Sequence, residues 1–309
     1  MSQQTIQEIG AQKLTSCGYV LDTSAACLGS LRSSIDLVDD AQALRARMGE
    51  DGYLFLSGYL DRDLVLETRG PILRQLAADG ELDPAFPPED AAARPGSAIT
   101  FRAELAIGNQ PLKTLLYDGR MMEFYTRFLG GEVRHFDFTW MRAVAPGKGT
   151  SPHEDIVFMG LGTTNLYTSW TPLGDISLDL GGLMILENSH TIERIKNSYG
   201  RKDVDSYCLN HGDAVPRAAG EKAWNGRLAR NPATLRKRLG GRWLTTDYRA
   251  GDLLVFGMYT VHASLDNHSS RLRLSSDTRY QLASEPADER WVGEDPIAHG
   301  RAAKRGRIC

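Results

Sequence analysis

From about residue 98 onward the chain breaks into short apolar or alternating segments, each closed by a turn signal. That rhythm restricts the fold more than any other feature. Ala98–Ala106, Val133–Ala145, Asp155–Met159, Leu166–Thr171, Gly182–Leu186, Arg242–Tyr248, Asp252–Gly257 and Arg271–Leu282 read as strands. Pro146-Gly147, Gly174-Asp175, Gly181-Gly182, Gly240-Gly241 and Gly251-Asp252 supply turns between them, since proline and glycine fit the dihedral angles that turns demand. Many short strands bury their apolar faces by closing into a sandwich or a jelly roll of the cupin kind.

Upstream the character is helical. Asp40–Met48 has good helix formers and an acidic first turn. The stretch 60–77 spaces Leu64, Ile72, Leu73 and Leu76 along one helical face. Gly52–Ser57, between them, reads as a short buried strand, and the proline-rich 84–95 as an exposed loop. The expected class is mainly β with flanking helices. We expect one domain over 1–309: a mostly helical 1–97, a jelly-roll core in 98–190 and 241–282, an inserted lid-like segment at 191–240 and a frayed tail at 283–309.

Composition narrows the function. A net charge of −3 argues against a nucleic-acid binder, and 41% hydrophobic residues are ordinary for a globular protein. The N-terminus lacks a basic start followed by an apolar run, and no stretch reaches membrane-spanning length, so a cytoplasmic enzyme without membrane contact is expected. Cys17, Cys27, Cys208 and Cys309 are scattered, form no CxxC pair, and are expected as free thiols.

The chemistry lies in a few polar residues. His153 and Asp155 are one residue apart, and on an extended strand such positions share a face. An imidazole and a carboxylate then reach one metal from a rigid edge, while Glu154 points away. His262 follows the hydrophobic run Leu253–Gly257. Two imidazoles and one carboxylate make the facial triad that holds non-heme Fe(II) and leaves positions open for oxygen. Downstream, Arg271, Arg273, Ser275, Asp277 and Arg279 alternate onto one strand face. Arg273 and Ser275 would clamp the carboxylate of a co-substrate. The plainer reading is a salt bridge from Arg271 or Arg273 to Asp277. Together these residues point to an iron- and 2-oxoglutarate-dependent oxygenase.

The ordered set of motifs resembles the phytanoyl-CoA dioxygenase family. It runs from Asp51-Gly-Tyr-Leu-Phe-Leu56 through His153-Glu-Asp155, Trp170-Thr-Pro-Leu-Gly-Asp175 and Gly181–His190 to Gly251–His262, and ends at Arg273. The resemblance implies a double-stranded β-helix core, with Fe(II) on His153, Asp155 and His262. It also implies 2-oxoglutarate chelating the iron, its far carboxylate on Arg273, eleven residues after His262, with Arg271 as the fallback. Ser264 and Trp170 would line the co-substrate site, and Arg102 would stand at a further basic contact. The implied reaction consumes O2, oxidises a small organic molecule by hydroxylation, and releases succinate and CO2. Asp155 favours hydroxylation over halogenation, because halogenating relatives carry a small residue there. His190 is expected to be structural.

The segment 191–240 has no counterpart in the resemblance. Its basic excess, Arg194, Arg217, Arg227 and Arg236 included, is read as a solvated surface, with an acidic substrate as the alternative. The rival from another class is a non-catalytic jelly-roll protein that binds metal or ligand without turnover. A zinc hydrolase on the same ligands is disfavoured, because it needs no second anionic anchor.

Overall fold

The computed structural model describes residues 13–221 and 224–309. A small hairpin, β1 (Thr15–Ser16) and β2 (Tyr19–Val20), leads to β3 (Leu28–Ser30). Then come α1 (Ala41–Asp51), β4 (Tyr53–Leu56), α2 (Arg62–Ala78), α3 (Gln110–Tyr117) and α4 (Gly119–Leu129). The core follows: β5 (Val133–His135), β6 (Trp140–Val144), α5 (Ile156–Met159), β7 (Tyr167–Pro172) and β8 (Leu183–Leu186). The insertion holds α6 (Glu193–Lys196), β9 (Ser206–Cys208), α7 (Ala214–Ala218) and α8 (Pro232–Leu239). The chain closes with β10 (Trp243–Thr245), β11 (Leu253–Gly257), β12 (His262–Ser264), β13 (Arg273–Leu282) and β14 (Arg305–Arg307).

Two sheets face each other. The larger runs β4-β11-β7-β13-β5, with β6 also on β13; the smaller runs β12-β8-β10-β3. The strand period of two assigns each residue to a layer. Phe55, Leu254 and Phe256 from the large sheet meet Leu183, Ile185 and Leu244 from the small one. The opposite face of the large sheet, with Leu54, Val255, Leu274 and Tyr280, packs on Leu112, Leu116, Phe124 and Phe128 of the helices. Met184, Leu186 and Ala263 on the outer face of the small sheet are covered by Leu14, Leu21 and Leu235. Each fully buried leucine in these layers contributes roughly 1.5–3 kcal/mol. This is the jelly-roll core of the expected class.

Two expected strands are absent. Ala98–Ala106 forms only a 3-10 turn at Ala103–Ala106, and Asp155–Met159 carries the short helix α5. Val133–Ala145 is split into β5 and β6 by Phe136–Thr139. The helices α3 and α4 were not anticipated, although Leu112, Leu115 and Leu116, then Met121, Phe124, Tyr125 and Phe128, bury one helical face each. The tail is not frayed. Trp291 and Arg290 are buried, and β14 pairs in parallel with β9. Cys208 and Cys309 form a disulfide, not free thiols, because that pairing brings their Cα atoms to 5.5 Å. Cys17 and Cys27 are free.

Candidate metal centre

The two histidines face each other across the mouth of the barrel. His262 opens β12, and its backbone exchanges two hydrogen bonds with His153: N–H to carbonyl at 3.0 Å one way and 3.1 Å the other. Asp155 is not on the same strand edge. It has helical dihedrals at the start of α5, where its carbonyl accepts from Phe158 and Met159. The turn nevertheless swings its carboxylate back, so Oδ1 lies 3.6 Å from Nε2 of both histidines. One ligand atom from each residue lies within 4.8 Å of the other two.

The surrounding bonds prepare these atoms. His153 Nδ1 donates to the Ser151 carbonyl at 2.8 Å and His262 Nδ1 to the Thr260 carbonyl at 3.0 Å. Each Nε2 therefore presents a lone pair to the centre. Burial, then the neighbouring His262, pushes His153 down to about 3; burial also lowers His262. Both rings are thus neutral near pH 7, the form a metal binds. Asp155 Oδ2 accepts from Thr168 Oγ1 at 2.5 Å and from Arg279 Nη2 at 2.9 Å. Burial alone would raise this carboxyl. Arg279, both imidazoles and Thr168 outweigh it and hold the group well below the usual carboxylate range. Oδ1 is left for a cation. Glu154 does point away. It is fully buried, both its oxygens lack a partner among the described residues, and burial pushes it up to about 8.

Arg273 lies on the inner face of β13, 1% exposed, donating to the Gly181 carbonyl. Among the described residues it has no carboxylate partner, and its Nε is unpaired. The buried Ser275 hydroxyl on β13 and the Trp170 indole N–H on β7, opposite Asp277, are unpaired too. Asp277 pairs with Arg142 at 2.7 Å, not with Arg271 or Arg273, and Arg271 is exposed. A buried guanidinium beside idle donors is a poor arrangement until an anion supplies the acceptors. The donor set fits a carboxylate of 2-oxoglutarate, and the triad fits Fe(II). Ser264 sits on β12 on the same face as His262, its hydroxyl accepting from the Thr150 N–H at 2.8 Å. Arg102 is elsewhere: it binds Asp79 and Glu104 at the surface and is not brought to the centre. His190 donates to the Gly49 carbonyl and packs against Gly52, where a Cβ would fall 2.3 Å from its Nδ1.

Thr168 and Arg279 were not assigned a role from sequence. Arg279 was visible only as one polar position of an alternating strand, and Thr168 gave no signal. A cavity of about 300 Å³ opens over His153 and Asp155. Phe101, Trp140, Phe158 and Met159 supply its apolar wall; Asn225 and Arg227 from the insertion and His299 from the tail complete the rim. The insertion and tail are held together by charge as well as by sulfur. Arg290 joins Asp203, Asp205 and Asp288, and Asp205 also meets His299 and Lys304.

The profile of the phytanoyl-CoA dioxygenase (PhyH) family matches residues 49–275. A 1-deoxypentalenic acid 11-beta-hydroxylase of Streptomyces exfoliatus is 26% identical over 259 residues, spanning 80% of this chain and 83% of that protein. Among solved structures, the epimerase SnoN in complex with Fe3+, alpha ketoglutarate and nogalamycin RO has a TM-score of 0.54 at 22% identity, covering 84% of this chain and 94% of that one. EctD from S. alaskensis in its apoform gives 0.55 at 16% identity, covering 96% and 98%.

Proposed function

The chain belongs to the phytanoyl-CoA dioxygenase family of Fe(II)- and 2-oxoglutarate-dependent oxygenases, and from that premise we propose that it hydroxylates a small organic molecule with release of succinate and CO2. In this reading His153, Asp155 and His262 hold the iron, and Arg273 binds the far carboxylate of 2-oxoglutarate. The observation that carries it is the convergence of three buried ligand atoms within 4.8 Å, beside a buried guanidinium with no carboxylate partner among the described residues.

When bound, iron and co-substrate supply the oxidising power, with dioxygen consumed. The residues of the chain orient and shield. Ser151 and Thr260 carbonyls fix the imidazole tautomers. Thr168 and Arg279 occupy one oxygen of Asp155 and turn the other to the metal. In this reading Ser275, Trp170 and Ser264 complete the co-substrate cradle with Arg273. Trp140, Phe158 and Met159 exclude water from the substrate side of the centre.

The test begins without oxygen. Fe(II) and 2-oxoglutarate added to the purified protein should give a weak visible charge-transfer band, and succinate should form once oxygen is admitted. Asp155→Ala should abolish both. Arg273→Leu should weaken co-substrate binding by about 2–5 kcal/mol, since the anion loses a buried, charge-assisted partner. Iron binding without succinate under any condition would favour the non-catalytic binding protein instead.

A further inference from the structure

Three guanidinium groups reach the wall of the cavity above the triad, and two are matched. Arg279 donates to Asp155 at 2.9 Å, and Arg142 to Asp277 at 2.7 Å. Arg227 has no carboxylate and no other side-chain partner among the described residues. Its backbone, however, is fixed on both sides. The Gly226 carbonyl accepts from the Tyr199 hydroxyl, and the Leu228 N–H donates to the Pro152 carbonyl at 2.8 Å. Gly226 also packs against the tip of the Phe158 ring, where a Cβ would fall 2.1 Å from Cζ. A surface arginine with nothing to do is common; one whose main chain is pinned against the wall of an active-site cavity is a placed charge.

We propose that Arg227 binds the anionic group of the substrate, and that the substrate is a small, largely apolar carboxylic acid. This rests on the oxygenase reading of the centre. The chemistry follows from the walls. Phe101, Trp140, Phe158 and Met159 offer a hydrocarbon skeleton an apolar bed beside the triad. With Arg142 and Arg279 already neutralised, Arg227 leaves one uncompensated positive charge at the rim. A carboxylate satisfies it with two parallel N–H···O bonds. Asn225, two residues away on the same rim, adds a neutral donor. Arg273 holds the co-substrate in a separate place on β13, so substrate and co-substrate do not compete for one cation.

The test uses the full chain loaded with Fe(II) and 2-oxoglutarate without oxygen. Cyclohexanecarboxylate, adamantane-1-carboxylate and octanoate are each titrated by calorimetry beside the matching neutral carboxamide. The visible band is followed throughout. At least one acid should bind on the order of tenfold tighter than its amide, about 1.4 kcal/mol. Arg227→Gln should bring the pair to about equal affinity, and Arg227→Lys should restore part of the preference. Loss of the band as acid binds, a preference unchanged in Arg227→Gln, or no preference for any acid in the wild type each overturns the assignment. Absence of the band before any acid is added sinks the oxygenase reading itself, which separates the two failures.

Discussion

Replacing Arg279 by glutamine isolates what the second oxygen of Asp155 contributes. The ion pair spans 2.9 Å, with side-chain exposures of 3% and 2%. Removing one partner of a buried pair leaves the other charge stranded, at a cost of about 3–5 kcal/mol. The guanidinium also lies 4.2 Å from the Trp140 ring, and that stacking is lost with the charge. In a chain of this length 3 kcal/mol corresponds to roughly 6 °C in Tm. The metal should bind about 10–100-fold more weakly, because Asp155 is no longer turned toward it. The pH dependence has a definite sign. A carboxyl held low in the folded state stabilises it above the unfolded pKa of about 4, and that contribution disappears as Asp155 protonates. The gap in Tm between wild type and Arg279→Gln should therefore close as the pH falls below about 4. Differential scanning fluorimetry of the apoprotein across pH, with a Co(II) titration at pH 7, checks each part. A Tm within a degree of wild type together with unchanged Co(II) affinity would refute the reasoning.

Glu154 titrates the other way. Burial raises it to about 8, so the folded state keeps a proton that the unfolded chain releases above about 4.5, and stability falls as pH rises between them. Glu154→Gln should remove that slope and gain on the order of 4–5 kcal/mol over wild type at pH 8.5, read from urea melts at pH 5 and 8.5; parallel curves would contradict it. Cys208→Ser opens a bridge between residues 101 apart, and should lower stability by about 2–4 kcal/mol, with wild type under reductant behaving the same way. Identical melting of oxidised and reduced protein would count against a disulfide in solution.

Much of the barrel was readable because its strands carry their instructions locally. Leu253–Gly257 and Leu183–Leu186 are nearly continuous apolar runs with buried side chains, and Arg273–Leu282 puts Arg273, Ser275, Asp277 and Arg279 on one face. Asp155–Met159 misled because four apolar residues in a row suit a strand or one helical turn equally. The helices over 110–129 did carry a periodic signal, in Leu112, Leu115, Leu116, Phe124 and Phe128, and it went unread. At the centre, His153, Asp155 and His262 stood out by residue type and spacing. Their geometry did not: one is bridged to β12 and another opens a helix. Thr168 could not be found, since hydroxyls on strands are common and its bond to Asp155 exists only in three dimensions. The plainer alternative, a salt bridge from Arg271 or Arg273 to Asp277, does not form for the same reason: Asp277 is taken by Arg142 of the neighbouring strand β6. The cysteine pairing is not legible from cysteine spacing, because it depends on β14 pairing with β9.

The mutual backbone bonds of His153 and His262 have a mechanical consequence. The donor nitrogens sit on the zipper that shuts the two halves of the barrel at this end, so they part whenever it unzips. On the proposed reading, a cation held by both imidazoles would act as a rivet across this closure, tying the segment before α5 to β12.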